Sequence, residues 1–267
     1  MKREIALVGV PLDENSSYMR GAAAGAAAAI KAVWCESANL WTETGMDLGP
    51  VLVDGGAVDF AGAGSPGERM ERIEGAAREL AESGRRPIFT GGDHSITYPL
   101  VRGLRQAVGE FDILHFDAHP DCYALFEGNP LSHASPFARI MEQGLCARLV
   151  SVGIRTATGH QREQRERYGI EWLEMRHQAD WPALSFTRPV YVSFDLDVLD
   201  PAHAPGVAHH EPGGLTTREA LAIIQAIDAP IVGADVVELN PARDRDGVTA
   251  MTAAKIIREL AGMMLLR

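Results

Sequence analysis

A chain of 267 residues, 46% of them apolar and with no polar low-complexity tract, can bury one large core and reads as a single α/β domain over 1-267. Its 25 Lys and Arg against 36 Asp and Glu leave a net charge of −11, which argues against nucleic acid or an anionic membrane as the main partner. Three cysteines, Cys35, Cys122 and Cys146, form no CxxC pair, no apolar run approaches a membrane span, and the N-terminal apolar run is too short for a signal peptide, so the chain is expected in the cytoplasm.

Residues 5–10 are apolar and β-branched, and form a first buried strand. The loop LDENSSYMRG leads to an alanine-rich helix over 21–37, with Lys31 and Glu36 on its polar face. A short strand at 51–53 runs into DGGAVDFAGAGSPG, whose glycines read as turns, since neither a GxGxxG fingerprint nor a GK[ST] phosphate loop is present. A helix over 68–82 and a strand over 87–90 follow, and the strand ends in GGDHSITYP. Gly91 and Gly92 permit a tight turn, and Asp93 or Ser95 can cap the helix that runs on to 108. His94 stands at that handover, a place suited to a cap, a packing residue or a ligand.

The stretch 111–121, FDILHFDAHPD, is an apolar run that empties into Asp117, His119 and Asp121. Side chains two apart on an extended strand share a face at roughly 6.5–7 Å per step, and Pro120 biases His119 to stay extended. Two ions about 3.5–4 Å apart suit groups spread over that length better than one ion does. The spacing therefore points to a metal pair, with an Asp-rich turn capping a helix as the other reading. The loop CYALFEGNPLSHASPF then carries His133 into a helix near 137–144.

A strand over 149–154, the charged helix GHQREQRERYG and an extended piece at 170–175 precede a strand over 189–194, which delivers SFDLDVLDP. Asp195 and Asp197 repeat the acidic pairing at a strand end. Buried without partners they would be costly, so a metal or a capped turn must compensate them. A helix over 217–227, the strand IVGADVVEL and a last helix from 249 close the pattern, with Asp235 and Glu238 at the final strand's exit.

Strands alternating with helices in this way indicate a parallel sheet covered on both faces, although eight candidate strands could also close into a barrel. In open parallel sheets ligands bind beyond the carboxyl ends of the strands. His94, Asp117, His119, Asp121, Asp195, Asp197 and Glu238 all fall there. Four aspartates and two histidines without a thiolate favour Mn2+, with Ni2+ or Co2+ able to substitute.

GGDHS, DAHPD and SFDLDVLDP, in this order and spacing, resemble the ureohydrolase (arginase/agmatinase) family over almost the whole chain. Plant-type arginases are the most similar group, through GVPL with NSS, FEGN before SHAS, FARIME, APGV before EPGGL, ADVVELNP and GVTAM. The resemblance implies a three-layer α/β/α fold with a central eight-stranded parallel sheet, two Mn2+ ions, and a homotrimer or homohexamer. By the matching motifs His94 and Asp121 would hold one ion and His119 and Asp197 the other, with Asp117 and Asp195 shared. Glu238 would hold the guanidinium and His133 would move a proton.

The implied reaction cleaves a small guanidino substrate to urea and an amine. L-arginine, giving L-ornithine, stands ahead of agmatine and 4-guanidinobutyrate. For the far end of that substrate the candidates are Asn129, Ser132 and Glu127, in the loop FEGNPLSHAS. Animal-type arginases carry acids just after GIR, where this chain has TATGH. His209 and His210 read as loop residues, and His115 and Asp235 as hydrogen-bond partners of the ligands. A dinuclear phosphoesterase would want cationic groups where Glu238 stands, and a metal-binding regulatory member of the fold would be expected to lack ligands.

Overall fold

The computed structural model describes residues 4–266. Its strands are β1 Ile5–Gly9, β2 Leu52–Ala57, β3 Arg86–Thr90, β4 Asp112–Phe116, β5 Leu149–Ile154, β6 Glu171–Glu174, β7 Val190–Asp195 and β8 Ile231–Val237. The helices are α1 Gly25–Val33, α2 Pro66–Glu82, α3 Thr97–Val108, α4 Pro136–Glu142, α5 Gly159–Tyr168, α6 Thr217–Gln225 and α7 Val248–Leu266. All eight strands run parallel in one sheet, in the order β2-β1-β3-β8-β7-β4-β5-β6. The sheet stays open, because β2 and β6 each pair on one side only, and no barrel forms.

Strands β1, β4, β5 and β7 are buried along their whole length, which is why they read as unbroken apolar runs and not as alternating ones. Helices α1, α6 and α7 bring Ala29, Leu221, Ile257 and Leu260 against one face, beside Phe116 and Phe194. Helices α2, α3 and α4 bring Ile73, Leu104 and Ile140 against the other, beside Phe89 and Tyr191. The Phe116 and Phe194 rings lie 5.0 Å apart with no exposure, so truncating either to alanine costs about 3–5 kcal/mol. Three helix starts are written in the sequence as capping boxes, Ser65 with Glu68, Thr158 with Gln161 and Thr216 with Glu219.

Two local expectations give way. Strand β2 continues to Ala57 through glycines that read as turns; a Cβ at Gly55 would lie 2.6 Å from Val8 Cγ2, so only glycine lets this edge strand approach β1 so closely. Strand β4 ends at Phe116, and 117–121 leave the sheet as a loop in which Asp121 takes φ +41. The ligand-type groups of that segment converge by turning, not by sharing a strand face. Beyond β3, Gly91 and Gly92 take φ +86 and +80, and a Cβ on Gly91 would meet Ala26 Cα at 2.3 Å. This packing of backbone on backbone seats His94 at the sheet's carboxyl edge. Among the described residues no helix is long and apolar enough to cross a membrane.

Candidate metal centre and active site

The four central strands β3, β8, β7 and β4 are neighbours, and their carboxyl ends carry every charged group the sequence places there. His94 opens a short 3-10 turn after β3, held by Asp93, whose Oδ1 accepts the Ser95 N–H at 3.1 Å. The Nδ1 atom of His94 lies 3.1 Å from Asp117 Oδ2, 3.1 Å from Asp121 Oδ2 and 3.2 Å from Asp195 Oδ2. His119 Nδ1 lies 3.1 Å from Asp197 Oδ2 and 3.3 Å from Asp117 Oδ1. Two sets of groups that could each hold an ion thus meet, His94 with Asp117, Asp121 and Asp195, and His119 with Asp117 and Asp197. Asp117 faces both.

The carboxylates are braced from behind. Asp117 Oδ1 accepts the His119 N–H at 2.6 Å, Asp195 Oδ1 accepts the Asp197 N–H at 2.8 Å, and Asp197 Oδ1 accepts the Ala118 N–H at 3.1 Å. Capping a turn and facing the centre are therefore not alternatives for Asp195: one oxygen does each. His115 presents Nε2 to Asp117 Oδ2 at 2.9 Å and Nδ1 to Ser151 Oγ at 3.0 Å, as expected for a partner of a ligand. Asp235 plays the same part for His94. It accepts hydrogen bonds from Tyr191 Oη at 2.5 Å, Thr97 Oγ1 at 3.0 Å and Ser193 Oγ at 2.7 Å, and Ser193 Oγ lies 3.0 Å from His94 Nε2.

This chain of bonds bears on what the centre can hold. With its proton given to Asp235, Ser193 Oγ accepts from His94 Nε2, and Nδ1 is left buried, with no hydrogen bond, against three carboxylate oxygens. A lone pair there is repelled; a positive charge is required, as a proton or a cation. Without a cation, burial would depress the His94 pKa, but the three carboxylates win and hold it well above the usual imidazole value. Burial and the charges of Asp197 and Asp117 push Asp195 well above the carboxylate range, and burial with Asp117 lifts Asp121 to about 6. The donor set, oxygens and imidazoles with no thiolate, fits hard or borderline divalent ions.

Beside the centre Glu238 sits at φ +65, with Oε1 accepting the His94 N–H at 2.9 Å and lying 2.9 Å from His133 Nδ1. Burial opposes its charge, yet His133 lowers its pKa. Burial likewise opposes a charged His133, yet Glu238 raises it to about 9. At Nε2 of His133 the Ser17 N–H arrives at 3.2 Å and the Ser17 hydroxyl at 2.8 Å. The N–H suits the neutral ring, and the hydroxyl can accept from the charged one, so both states find a partner.

These groups open on a cavity of about 170 Å³, whose walls include Ser17, Tyr123, Phe126, Thr156, Thr158 and Gln161. His209, a loop residue on the sequence pattern, also stands in the wall, 5.4 Å from the His133 ring and 5.8 Å from the His119 ring between centroids. It holds no ligand position, so counting ligands does not find it. His210 lies outside, bonded to the Pro205 carbonyl and Arg243. The three candidates for the far end of a substrate lie outside the wall as well. Asn129 spends its amide on Asn15 Oδ1 and the Leu131 N–H, Ser132 Oγ accepts the Ala134 N–H, and Glu127 occupies an exposed turn at φ +50.

Residues 3–262 match the model of the Arginase family. The chain belongs to the arginase family. Arginase 1, mitochondrial, of Arabidopsis thaliana is 48% identical over 97% of this chain and 81% of its own length. The structure of the arginase from Medicago truncatula superposes with a TM-score of 0.94 at 46% identity, covering 98% of this chain and 87% of that one. A triple mutant of a T. brucei arginase-like protein bound with Mn2+ superposes at 0.78 with 28% identity, over 97% of this chain and 90% of that one. The family makes the chain a ureohydrolase with the three-layer fold expected from its motifs. The expected cytoplasmic location does not stand: plant relatives from Arabidopsis thaliana, Medicago truncatula and Oryza sativa are named mitochondrial or, for one, chloroplastic/mitochondrial. Composition and the lack of a long apolar run bear on membrane insertion and not on which aqueous compartment a chain occupies.

Proposed function

We propose that this ureohydrolase cleaves L-arginine to L-ornithine and urea with two Mn2+ ions, as a homotrimer or homohexamer. His94 and Asp121 would hold one ion and His119 and Asp197 the other, with Asp117 and Asp195 available to both. When bound, the ions supply an activated water and neutralise the crowded carboxylates.

The observation that carries this reading is the free oxygen of Glu238. Its Oε1 is engaged by the His94 N–H and by His133, while Oε2 has no partner among the described residues, and Glu238 lines the cavity. A planar cation with several N–H donors is what such a fixed, ionised oxygen can orient. His133, poised between Glu238 and Ser17, is within reach to hand a proton to the departing amine, and both of its states are accommodated.

The test is urea release from L-arginine after loading with Mn2+, Ni2+ or Co2+ and again after chelation. Glu238→Gln should lower kcat/KM by about 10–100-fold, the 1.5–3 kcal/mol of a hydrogen bond to a charged group. No urea from any guanidino compound under any metal overturns the proposal.

A further inference from the structure

The cavity's lining is of two kinds. Its floor holds Asp121, Asp195, Asp197 and Glu238, whereas the other polar groups apart from the imidazoles, Ser17, Tyr123, Thr156, Thr158 and Gln161, carry no charge. Among them Gln161 is set apart by its bonding. It is 4% exposed, and it is the third residue of α5, where its Oε1 accepts the Thr158 N–H at 2.9 Å and the Thr158 hydroxyl at 3.2 Å. A backbone N–H can only donate, so the oxygen end of the amide is identified by this contact and the nitrogen end is the other one. Nε2 has no hydrogen-bond partner among the described residues, and Gln161 lines the cavity. It belongs to the first turn of a ten-residue helix, whose N-terminal end carries partial positive charge.

We infer that Gln161 reads a carboxylate at the far end of the substrate, so that the enzyme selects compounds joining a guanidinium to a terminal carboxylate. This rests on the hydrolysis proposed above and adds to it the group that recognises the substrate's other end. A carboxylate accepts from Nε2 and is favoured by the helix end. An ammonium can do neither, and the wall offers it no carboxylate. L-arginine and 4-guanidinobutyrate carry the required group; agmatine carries an amine in its place.

Wild-type enzyme loaded with Mn2+ should show at least tenfold higher kcat/KM for 4-guanidinobutyrate and for L-arginine than for agmatine, about 1.4 kcal/mol of discrimination. Gln161→Glu keeps the capping box, because glutamate at this position accepts the same two bonds, while it replaces the donor by a negative charge. In this variant the ratio of L-arginine to agmatine should fall at least tenfold, chiefly through a higher KM for L-arginine, with the thermal midpoint preserved. An unchanged ratio while urea is still released overturns the inference and leaves the hydrolysis standing. Wild-type preference for agmatine overturns it without recourse to the variant, which covers the case in which Gln161→Glu does not fold. Absence of urea from all three compounds removes the hydrolysis itself.

Discussion

The floor and the far wall of one cavity are built on opposite plans. On the floor, carboxylates at the ends of β7 and β8 and in the turn after β4 are fixed by backbone N–H groups, which aim one oxygen and leave the other for the centre. The wall is assembled from side chains on separate loops, neutral except for imidazole, and the best braced of them is Gln161, which borrows rigidity from a helix start. Charge is placed where the scaffold is stiff, and recognition of the variable end of a ligand is left to loops.

The largest effect should come from the residue that faces both ligand sets. Asp117→Asn is expected to remove bound metal and urea release together, by more than the roughly 10–100-fold that outer partners contribute. Metal analysis after dialysis checks it, and two retained ions per chain would show that the floor does not depend on Asp117. His133→Asn should lower kcat by roughly 10²–10⁴ with metal content unchanged. Turnover at the wild-type rate would move His133 from the reaction to the scaffold.

Ser193→Ala should weaken metal affinity by about 10–100-fold, because His94 loses the bond that orders its ring, and a metal titration against a competing chelator measures it. The His133 proton also makes a pH prediction. Its pKa is raised to about 9 from 6.5 on folding, so its contribution is complete below 6.5 and is lost as pH rises through about 9. It amounts to roughly 3 kcal/mol. Urea denaturation at both ends of that window should show a decline in wild type that is smaller in His133→Asn; an equal decline would assign it to other groups. Smallest of all, Asn129→Ala should cost about 1 kcal/mol of stability through its bond to Asn15 and leave kcat/KM untouched. A tenfold loss of kcat/KM would put Asn129 back in the wall.

The floor was legible because its chemistry is written at short range. Asp117 with His119 and Asp195 with Asp197 stand two apart at the ends of apolar runs, and the likeness of these motifs to a family supplied the roles proposed for His133 and Glu238. The wall was not legible, because which loop side chain meets the cavity depends on paths that no local pattern encodes. Glu127, Asn129 and Ser132 lie close in sequence to His133 yet are not in the cavity's lining, while Thr156, Thr158 and Gln161, which are, come from the exit of β5. The strands were recognisable one by one, but their order was not, since β3 pairs with β8 across most of the chain. Without that order an open sheet and a barrel share one pattern.

That pairing has a consequence for how the molecule comes into being. Strands β2, β1 and β3 make one group and β7, β4, β5 and β6 another, and β8 is what joins them. Until residues 231–237 leave the ribosome, β3 and β7 each present a bare inner edge in the heart of the future sheet, and His94 waits on one group while Asp117 and Asp195 wait on the other. Contacts so distant in sequence form slowly, and exposed edges in that interval invite pairing with other chains. Ions that bind both groups at once would act as a late clasp, so refolding with metal present should be faster to completion and lose less protein to aggregation than refolding without it.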